Sequence, residues 1–287
     1  MPDPSFPPPG SCDAHVHVIG PKPQFPLIPA RSYTPRDATA DELAAMLRRL
    51  GLSRVVLVQP SFYGTDNRCM LDAMARMPGS RGVAVLPDDA DDDELDRLDD
   101  AGIRGLRVNA ATSGTEPVEA VRTRIMAAAR LCERNGWHVQ VFIPSAMIAP
   151  LAPALRALPV AAVIDHFGMV APGVTGEAQH ALTGLLETGH VWVKVSGAYR
   201  IAEDTNDPRI GELARALCAA NPERIVWGSD WPHTPRHELR TGAPDQELPF
   251  QDIDPAALLA LVPRWLGDDD LVRRVLVTNP QRLYGFD

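Results

Sequence analysis

No stretch of the 287 residues approaches eighteen unbroken apolar positions, so the sequence offers no transmembrane helix. The opening Met1-Pro2-Asp3-Pro4 has neither the basic start nor the apolar core of a secretory signal, and a cytoplasmic location is expected. Only four cysteines occur, Cys12, Cys69, Cys132 and Cys218, widely scattered and without a CxxC pair. That spacing argues for reduced, buried thiols and against a disulfide framework or a cysteine zinc site. With 28 basic against 37 acidic residues the chain carries −9, and no basic stripe of the kind that binds nucleic acid is present. The acidic run Asp88–Asp100 lacks EF-hand spacing and reads as a solvated helix start, where negative charge suits the helix dipole. No glycine-rich dinucleotide fingerprint follows the first apolar run, which removes the main signal for an open, doubly wound sheet with a redox cofactor.

What is present is a recurring unit of short apolar run, loop and amphipathic helix. The expected strands are Cys12–Val18, Val55–Gln59, Gly82–Leu86, Gly105–Asn109, His138–Ile143, Ala162–Asp165, Val191–Val195 and Ile225–Gly228. Helical patterns separate them, and Gly51, Gly102 and Gly136 follow three of these closely, where a left-handed terminating residue is wanted. Alternation of this kind implies a parallel sheet covered by helices, and eight units imply closure into a single-domain (β/α)₈ TIM barrel. Residues 1–10 would be an extended, proline-rich lead-in and 11–287 the barrel. Three segments break the rhythm, Pro21–Arg36, Ala171–Thr175 and Thr234–Asp254. All leave the C-terminal ends of strands, the face on which barrels build their sites.

Chemistry concentrates at three strand ends. In Asp13-Ala14-His15-Val16-His17 the alternation of a strand sends His15 and His17 to the same side. Trp227-Gly228-Ser229-Asp230-Trp231-Pro232-His233 puts Asp230 at the same mouth, eight strands later. His166 follows the apolar run Val163-Ile164-Asp165 at the end of the sixth strand. Each alone has a bland reading, as a packed histidine or a helix cap, but their joint placement is far more specific.

These residues, with Ser32–Asp37, Gln59-Pro60-Ser61, Gly64–Asn67, Gly105-Leu106-Arg107, Tyr199-Arg200 and Thr278–Tyr284, resemble the amidohydrolase superfamily. Within it, the chain is most similar to the 2-pyrone-4,6-dicarboxylate lactonase-like branch, over nearly its whole length. Superfamily members that use a metal bind it through the HxH pair and the last-strand aspartate, here His15, His17 and Asp230, with His166 as a possible fourth ligand. Arg107 occupies a fourth-strand position where a bridging ligand would sit, and the fifth strand reads Val141-Phe142-Ile143 with no histidine. The branch implied by the resemblance works without a metal, so no cofactor is expected, and zinc is the disfavoured alternative.

The expected reaction is hydrolysis of a small, carboxylated lactone. Asp230 would act as general base on water, and His15, His17 and His166 would donate to the carbonyl oxygen as it gains charge. Arg107 and Arg200 would fork onto a substrate carboxylate, with Tyr33, Ser61, Tyr63 and His233 as weaker substrate contacts. Two departures from the branch stand out. No cation appears in Asn109–Gly114, where a second arginine is expected from the resemblance, and Phe142 replaces a tyrosine. The pyrone dicarboxylate itself is therefore doubtful as substrate, and a related lactone or monocarboxylate fits better. The alternatives are a lactone isomerase, a metal-dependent amidohydrolase or decarboxylase, and a non-catalytic binding barrel. The partner is a small anionic lactone or organic acid, without nucleic acid or membrane; the spacing is silent on an oligomer.

Overall fold

The computed structural model describes residues 6–111, 116–236, 240 and 243–287. Eight parallel strands, β1 (Cys12–Val16), β2 (Arg54–Val58), β3 (Arg81–Ala84), β4 (Ile103–Asn109), β5 (His138–Phe142), β6 (Ala162–Ile164), β7 (Val191–Ser196) and β8 (Ile225–Gly228), pair in sequence order. The ring closes just beyond β8. Asp230 N–H donates to the His15 carbonyl at 2.9 Å and His17 N–H to the Trp231 carbonyl at 2.8 Å. The fold is a (β/α)₈ barrel, and the strand assignments from the sequence fall within a few residues of the observed bounds.

Alternation along each strand separates two cores. Outward side chains such as Val55, Leu57, Val139, Val141, Val193 and Val195 pack under the helices. Inward ones, including Cys12, Val56, Val83, Val163, Trp192 and Val226, fill the lower barrel, which Tyr284 and Phe286 plug from below. Near the C-terminal mouth the inward positions turn polar, with Arg107, Gln140, Asp165, Lys194 and Asp230 all buried. Gly51 and Gly136 end their helices at φ 69° and 65°, as the sequence demanded.

The long loops are tied together. Thr34–Pro35 pairs in parallel with Glu247–Leu248, joining the segment after β1 to the segment after β8 across the mouth. These two short strands lie within stretches that the sequence marked simply as loops. Of the extended lead-in, residues 1–5 lie outside the described residues, as do 112–115 after β4 and 237–239 and 241–242 after β8. The last part of the chain also holds structure that periodicity did not signal, Asp269–Arg273, Arg274–Thr278 and Asn279–Tyr284, a nearly continuous helical run around a π-turn.

Candidate active site

The seam between β1 and β8 builds the centre. The pairing of β1 with β2 slips between Asp13 and Val16, so Ala14 stays in the lower core while His15 and His17 both reach the mouth. Their rings stand edge to face with centroids 5.0 Å apart. The Asp13 carboxylate fastens this stretch to β8, accepting from Ser229 N–H at 2.9 Å and His15 N–H at 3.2 Å. Burial pushes the Asp13 pKa up to about 6. Asp230 and His166 both sit at left-handed backbone angles, φ 62° and 52°, a conformation that non-glycine residues adopt at a cost and that clusters at functional sites.

Asp230 is wholly buried, and its two oxygens have different lives. Oδ2 accepts from the Tyr199 hydroxyl at 2.6 Å and from Arg200 Nε. Oδ1 has no hydrogen-bond partner and faces two imidazoles, His17 Nε2 at 3.6 Å and His15 Nε2 at 3.8 Å. Burial opposes ionisation of this carboxyl, but Arg200 and the surrounding imidazoles outweigh it and hold the pKa well below the usual carboxylate range. Asp230 is thus an anion with one uncommitted oxygen.

The histidines differ in what they can do. His17 Nδ1 lies 2.7 Å from the Val58 carbonyl, which only accepts, so Nδ1 carries the proton. Burial lowers its pKa, the ring is neutral, and Nε2 presents a lone pair. A neutral His17 in this tautomer accepts at Nε2; it cannot donate to a carbonyl oxygen as the sequence reading had it. His166 bonds through Nδ1 to the Ser196 hydroxyl at 2.9 Å, and burial brings its pKa down to about 4. With the hydroxyl proton on Nδ1, Nε2–H of His166 is a donor. His15 is held from behind, Nδ1 being 3.3 Å from Asp165 Oδ1 and 3.5 Å from Lys194 Nζ. Burial keeps its pKa well below the ordinary imidazole value.

Asp165 and Lys194 were not singled out from the sequence. Asp165 accepts from Arg107 Nη2 at 3.3 Å and Gln140 Nε2 at 3.1 Å, and Lys194 Nζ donates to the Ala14 carbonyl at 2.8 Å. Burial pulls the Lys194 pKa down to about 8. Strand alternation offered a signal for both, since each shares the inward face of its strand with the site. Tyr199, quoted in the motif but given no role, turns out to hold Asp230. Gly197, at φ 59°, lets the chain pass so close that a Cβ would stand 2.9 Å from His166 Nδ1 and 3.0 Å from Asp230 Oδ2.

Above this centre opens a small pocket whose walls include His17, His166, Arg107, Arg200, Tyr33 and Ser61. Pro60, Phe62 and Phe142 give it flat apolar sides. Arg107 donates to Asp165 and to the Gln59 carbonyl, while Arg200 also reaches Thr234 Oγ at 2.9 Å, so both arginines border the pocket while bracing its floor. Two expectations fail. The Tyr63 hydroxyl is turned away, accepting from Gly20 N–H at 3.1 Å, because its ring packs with Phe62 under the first loop. His233, past the cis Trp231-Pro232 bond, lies edge-on to Tyr199 and borders a different cavity with Asp37, Glu42 and Phe250.

Ligand atoms of His15, His166 and Asp230 lie within 4.8 Å of one another. This set includes His166, the possible fourth ligand of the sequence analysis, and leaves out His17, although the His17 Nε2 lone pair also faces Asp230. The donor types suit zinc. The charges do not. Asp165 is paired with Arg107 and Lys194 and Asp230 with Arg200, so a dication would have to compete with cations that already hold these two carboxylates.

A parallel barrel with an HxH at the end of β1 and an aspartate at the end of β8 is the architecture of the amidohydrolases. The chain belongs to that family, whose profile matches residues 12–286. It is 35% identical to a 2-pyrone-4,6-dicarboxylate hydrolase of Comamonas testosteroni, over 96% of this chain and 90% of that protein. A 4-sulfomuconolactone hydrolase of Hydrogenophaga intermedia is 33% identical, covering 97% and 89%. Among solved structures, an Acinetobacter baumannii protein assigned as a 2-pyrone-4,6-dicarboxylic acid hydrolase, with citric acid bound, superposes with a TM-score of 0.81 at 28% identity, covering 96% of this chain and all of that one. Among the described residues no helix is long and apolar enough to cross a membrane.

Proposed function

We propose that this protein hydrolyses the ring ester of a small, flat lactone bearing at least one acid group. The observation that carries the reading is the buried Asp230 Oδ1, an anionic oxygen without a hydrogen-bond partner facing the His17 Nε2 lone pair at 3.6 Å. Two acceptors at that spacing suit a water molecule that donates one proton to each. The water is thereby held with an oxygen lone pair outward, toward a ring carbonyl lying between Phe142 and Pro60.

Attack of that oxygen on the carbonyl carbon passes one proton to Asp230 Oδ1 and places negative charge on the carbonyl oxygen. His166 donates to this oxygen, and His15, braced between Asp165 and Lys194, completes the polar side of the cradle. Collapse re-forms the carbonyl, breaks the bond to the ring oxygen and returns the proton from Asp230 to that leaving oxygen. Removing one donor to an oxyanion costs roughly 3–4 kcal/mol of transition-state stabilisation. Arg107 and Arg200 give the pocket the positive field that draws an anionic substrate, and their forks match a carboxylate. We read the chemistry as metal-free, on the ion pairs that already hold Asp165 and Asp230 and on the engagement of Asp230 Oδ2 by Tyr199 and Arg200. An isomerase would use the same cradle with a substrate hydroxyl in place of water; the similarity to two lactone hydrolases, at 35% and 33% identity, supports hydrolysis.

The test is a panel of acidic and neutral lactones assayed with chelator-treated wild-type protein and Asp230→Asn. Acidic lactones are expected to open in wild type without added metal, and the variant to lose about 10²–10⁴-fold in kcat. A variant that keeps near-normal turnover, or a wild type silent until metal is restored, would refute the mechanism.

A further inference from the structure

The inward face of β7 supplies two polar residues in succession, and each stands behind a histidine of the site. Ser196 lies 2.9 Å from His166 Nδ1, and Lys194, one step earlier on the same face, lies 3.5 Å from His15 Nδ1. The two rings are neighbours, with centroids 4.7 Å apart. Lys194 is wholly buried, and the next inward residue below it is Trp192 of the lower core. A lysine in such a place carries a desolvation cost that an apolar side chain would not. Packing alone gives no reason for it.

Two groups beside His15 Nδ1 ask opposite things of the ring. Asp165 Oδ1, 3.3 Å away, can only accept a proton from Nδ1, and it makes no hydrogen bond. Lys194 Nζ, an ammonium with three donors and no acceptor, hydrogen-bonds to Nδ1 and, at 2.8 Å, to the Ala14 carbonyl. A neutral ring that accepts at Nδ1 carries its proton on Nε2. His15 Nε2 is buried, has no hydrogen-bond partner and lies 3.8 Å from Asp230 Oδ1, beside the place of reaction. Asp230 Oδ1 and the His17 lone pair already take both protons of an attacking water. A third acceptor at His15 Nε2 would have no proton to receive and would repel a carbonyl oxygen as it gains charge, whereas a donor stabilises that oxygen.

We propose that Lys194 is a positioning residue for ring opening: by donating to His15 Nδ1 it prevails over Asp165 and keeps the His15 proton on Nε2, turned toward the carbonyl oxygen. This rests on the lactonase reading for the identity of that oxygen. β7 then sets both rings alike, Ser196 for His166 and Lys194 for His15, and the cradle has two donors. Without Lys194, Asp165 is the group left at Nδ1, the proton moves to that nitrogen, and a lone pair faces the reacting oxygen. Asp165 Oδ2 accepts from Arg107 and Gln140. Asp165→Asn therefore keeps its carbonyl oxygen at that position and turns its NH2 toward His15 Nδ1, where it can stand in for the lysine as donor.

The test reads the ring directly. In protein with isotope-labelled histidine, two-bond nitrogen–proton NMR correlations report which His15 nitrogen carries the proton, with His15→Asn supplying the assignment. The proton is expected on Nε2 in wild type, on Nδ1 in Lys194→Met, and on Nε2 again in Lys194→Met/Asp165→Asn. Turnover should follow the same order. Lys194→Met should lower kcat on an acidic lactone about 10²–10³-fold with KM nearly unchanged, because the lost donor acts on charge that develops in the transition state. The double substitution should recover roughly tenfold of that loss, which a lysine needed only for stability would not allow. A wild type with the His15 proton on Nδ1 overturns the proposal by itself, whether or not the substituted proteins fold. So does a proton that stays on Nε2 in Lys194→Met, or a double variant no faster than the single one. A proton that moves as expected in a protein that opens no lactone would sink the hydrolase reading and leave the role of Lys194 at the ring standing; lactone opening with an unmoved proton gives the converse.

Discussion

At the scale of single residues, the site works by committing one half of each group so that the other half is left with a defined role. Arg200 and Tyr199 occupy Asp230 Oδ2 and leave Oδ1 as the base. Val58 fixes the proton of His17 on Nδ1 and leaves a lone pair at Nε2. This arrangement sets the pH dependence. His166 has a folded pKa of about 4 and Asp230 one below the usual carboxylate range, so above about pH 5 the imidazole is neutral and the carboxylate ionised. The step needs Asp230 ionised and the His17 lone pair free, so activity is lost as pH falls far enough to protonate either group, both of which are held below their ordinary values. The imidazoles are expected to add no limb to the kcat/KM profile near their ordinary value of about 6.5, and one there that follows His17 or His166 would show that burial does not control these rings. His15, His17, His166 and Asp230 were legible in the sequence because each closes a recognisable apolar run. The direction of each proton was not, since it depends on partners such as Val58 and Ser196 that lie 41 and 30 residues away.

At the scale of elements, the turn after β7 is as important as the two strands that form the seam. Ser196 anchors His166, Gly197 lets the chain pass beneath it, and Tyr199 and Arg200 occupy the short helix Ala198–Ile201 that clamps Asp230. Replacing Gly197 with alanine would force a left-handed backbone on a residue with a side chain, at roughly 1–2 kcal/mol. It would also push a methyl group between His166 and Asp230. The expected result is a folded protein with a modestly lowered Tm and a kcat reduced about 100-fold, because displacements near 1 Å are enough for losses of that size. Near-normal kcat with an intact fold would mean that the two groups are not held by this turn. The sequence showed Tyr199-Arg200 as a motif only by resemblance, and Ser196 and Gly197 not at all. Nothing in its local pattern distinguishes a glycine that ends a strand from one that a catalytic pair requires. Tyr63 and His233 illustrate the reverse error, since both lie close in sequence to residues of the site, yet Tyr63 turns its hydroxyl to Gly20 N–H and His233 borders a neighbouring cavity.

At the scale of the whole molecule, the barrel has an apolar lower half and an ionic upper half, and Lys194 stands at the boundary. It caps the Ala14 carbonyl in the slipped stretch of β1 and lies 3.9 Å from Asp165 Oδ1, with no solvent exposure. Removing a buried partner leaves the remaining charge uncompensated, so Lys194→Met is expected to cost about 3–5 kcal/mol in urea unfolding. A loss under about 1 kcal/mol would show that Arg107 and Gln140 satisfy Asp165 without it. The eightfold alternation made the architecture readable, because each strand repeats the same inward and outward rule. The ionic layer was harder to read, since its members come from different strands and their sequence neighbours are apolar. The seam adds a constraint of its own. The base and its histidine neighbours come from strands more than two hundred positions apart, joined by the hydrogen bonds that shut the ring. Catalytic competence and topological completion are therefore a single event for this molecule, and an open, partly assembled barrel would possess no fraction of the activity.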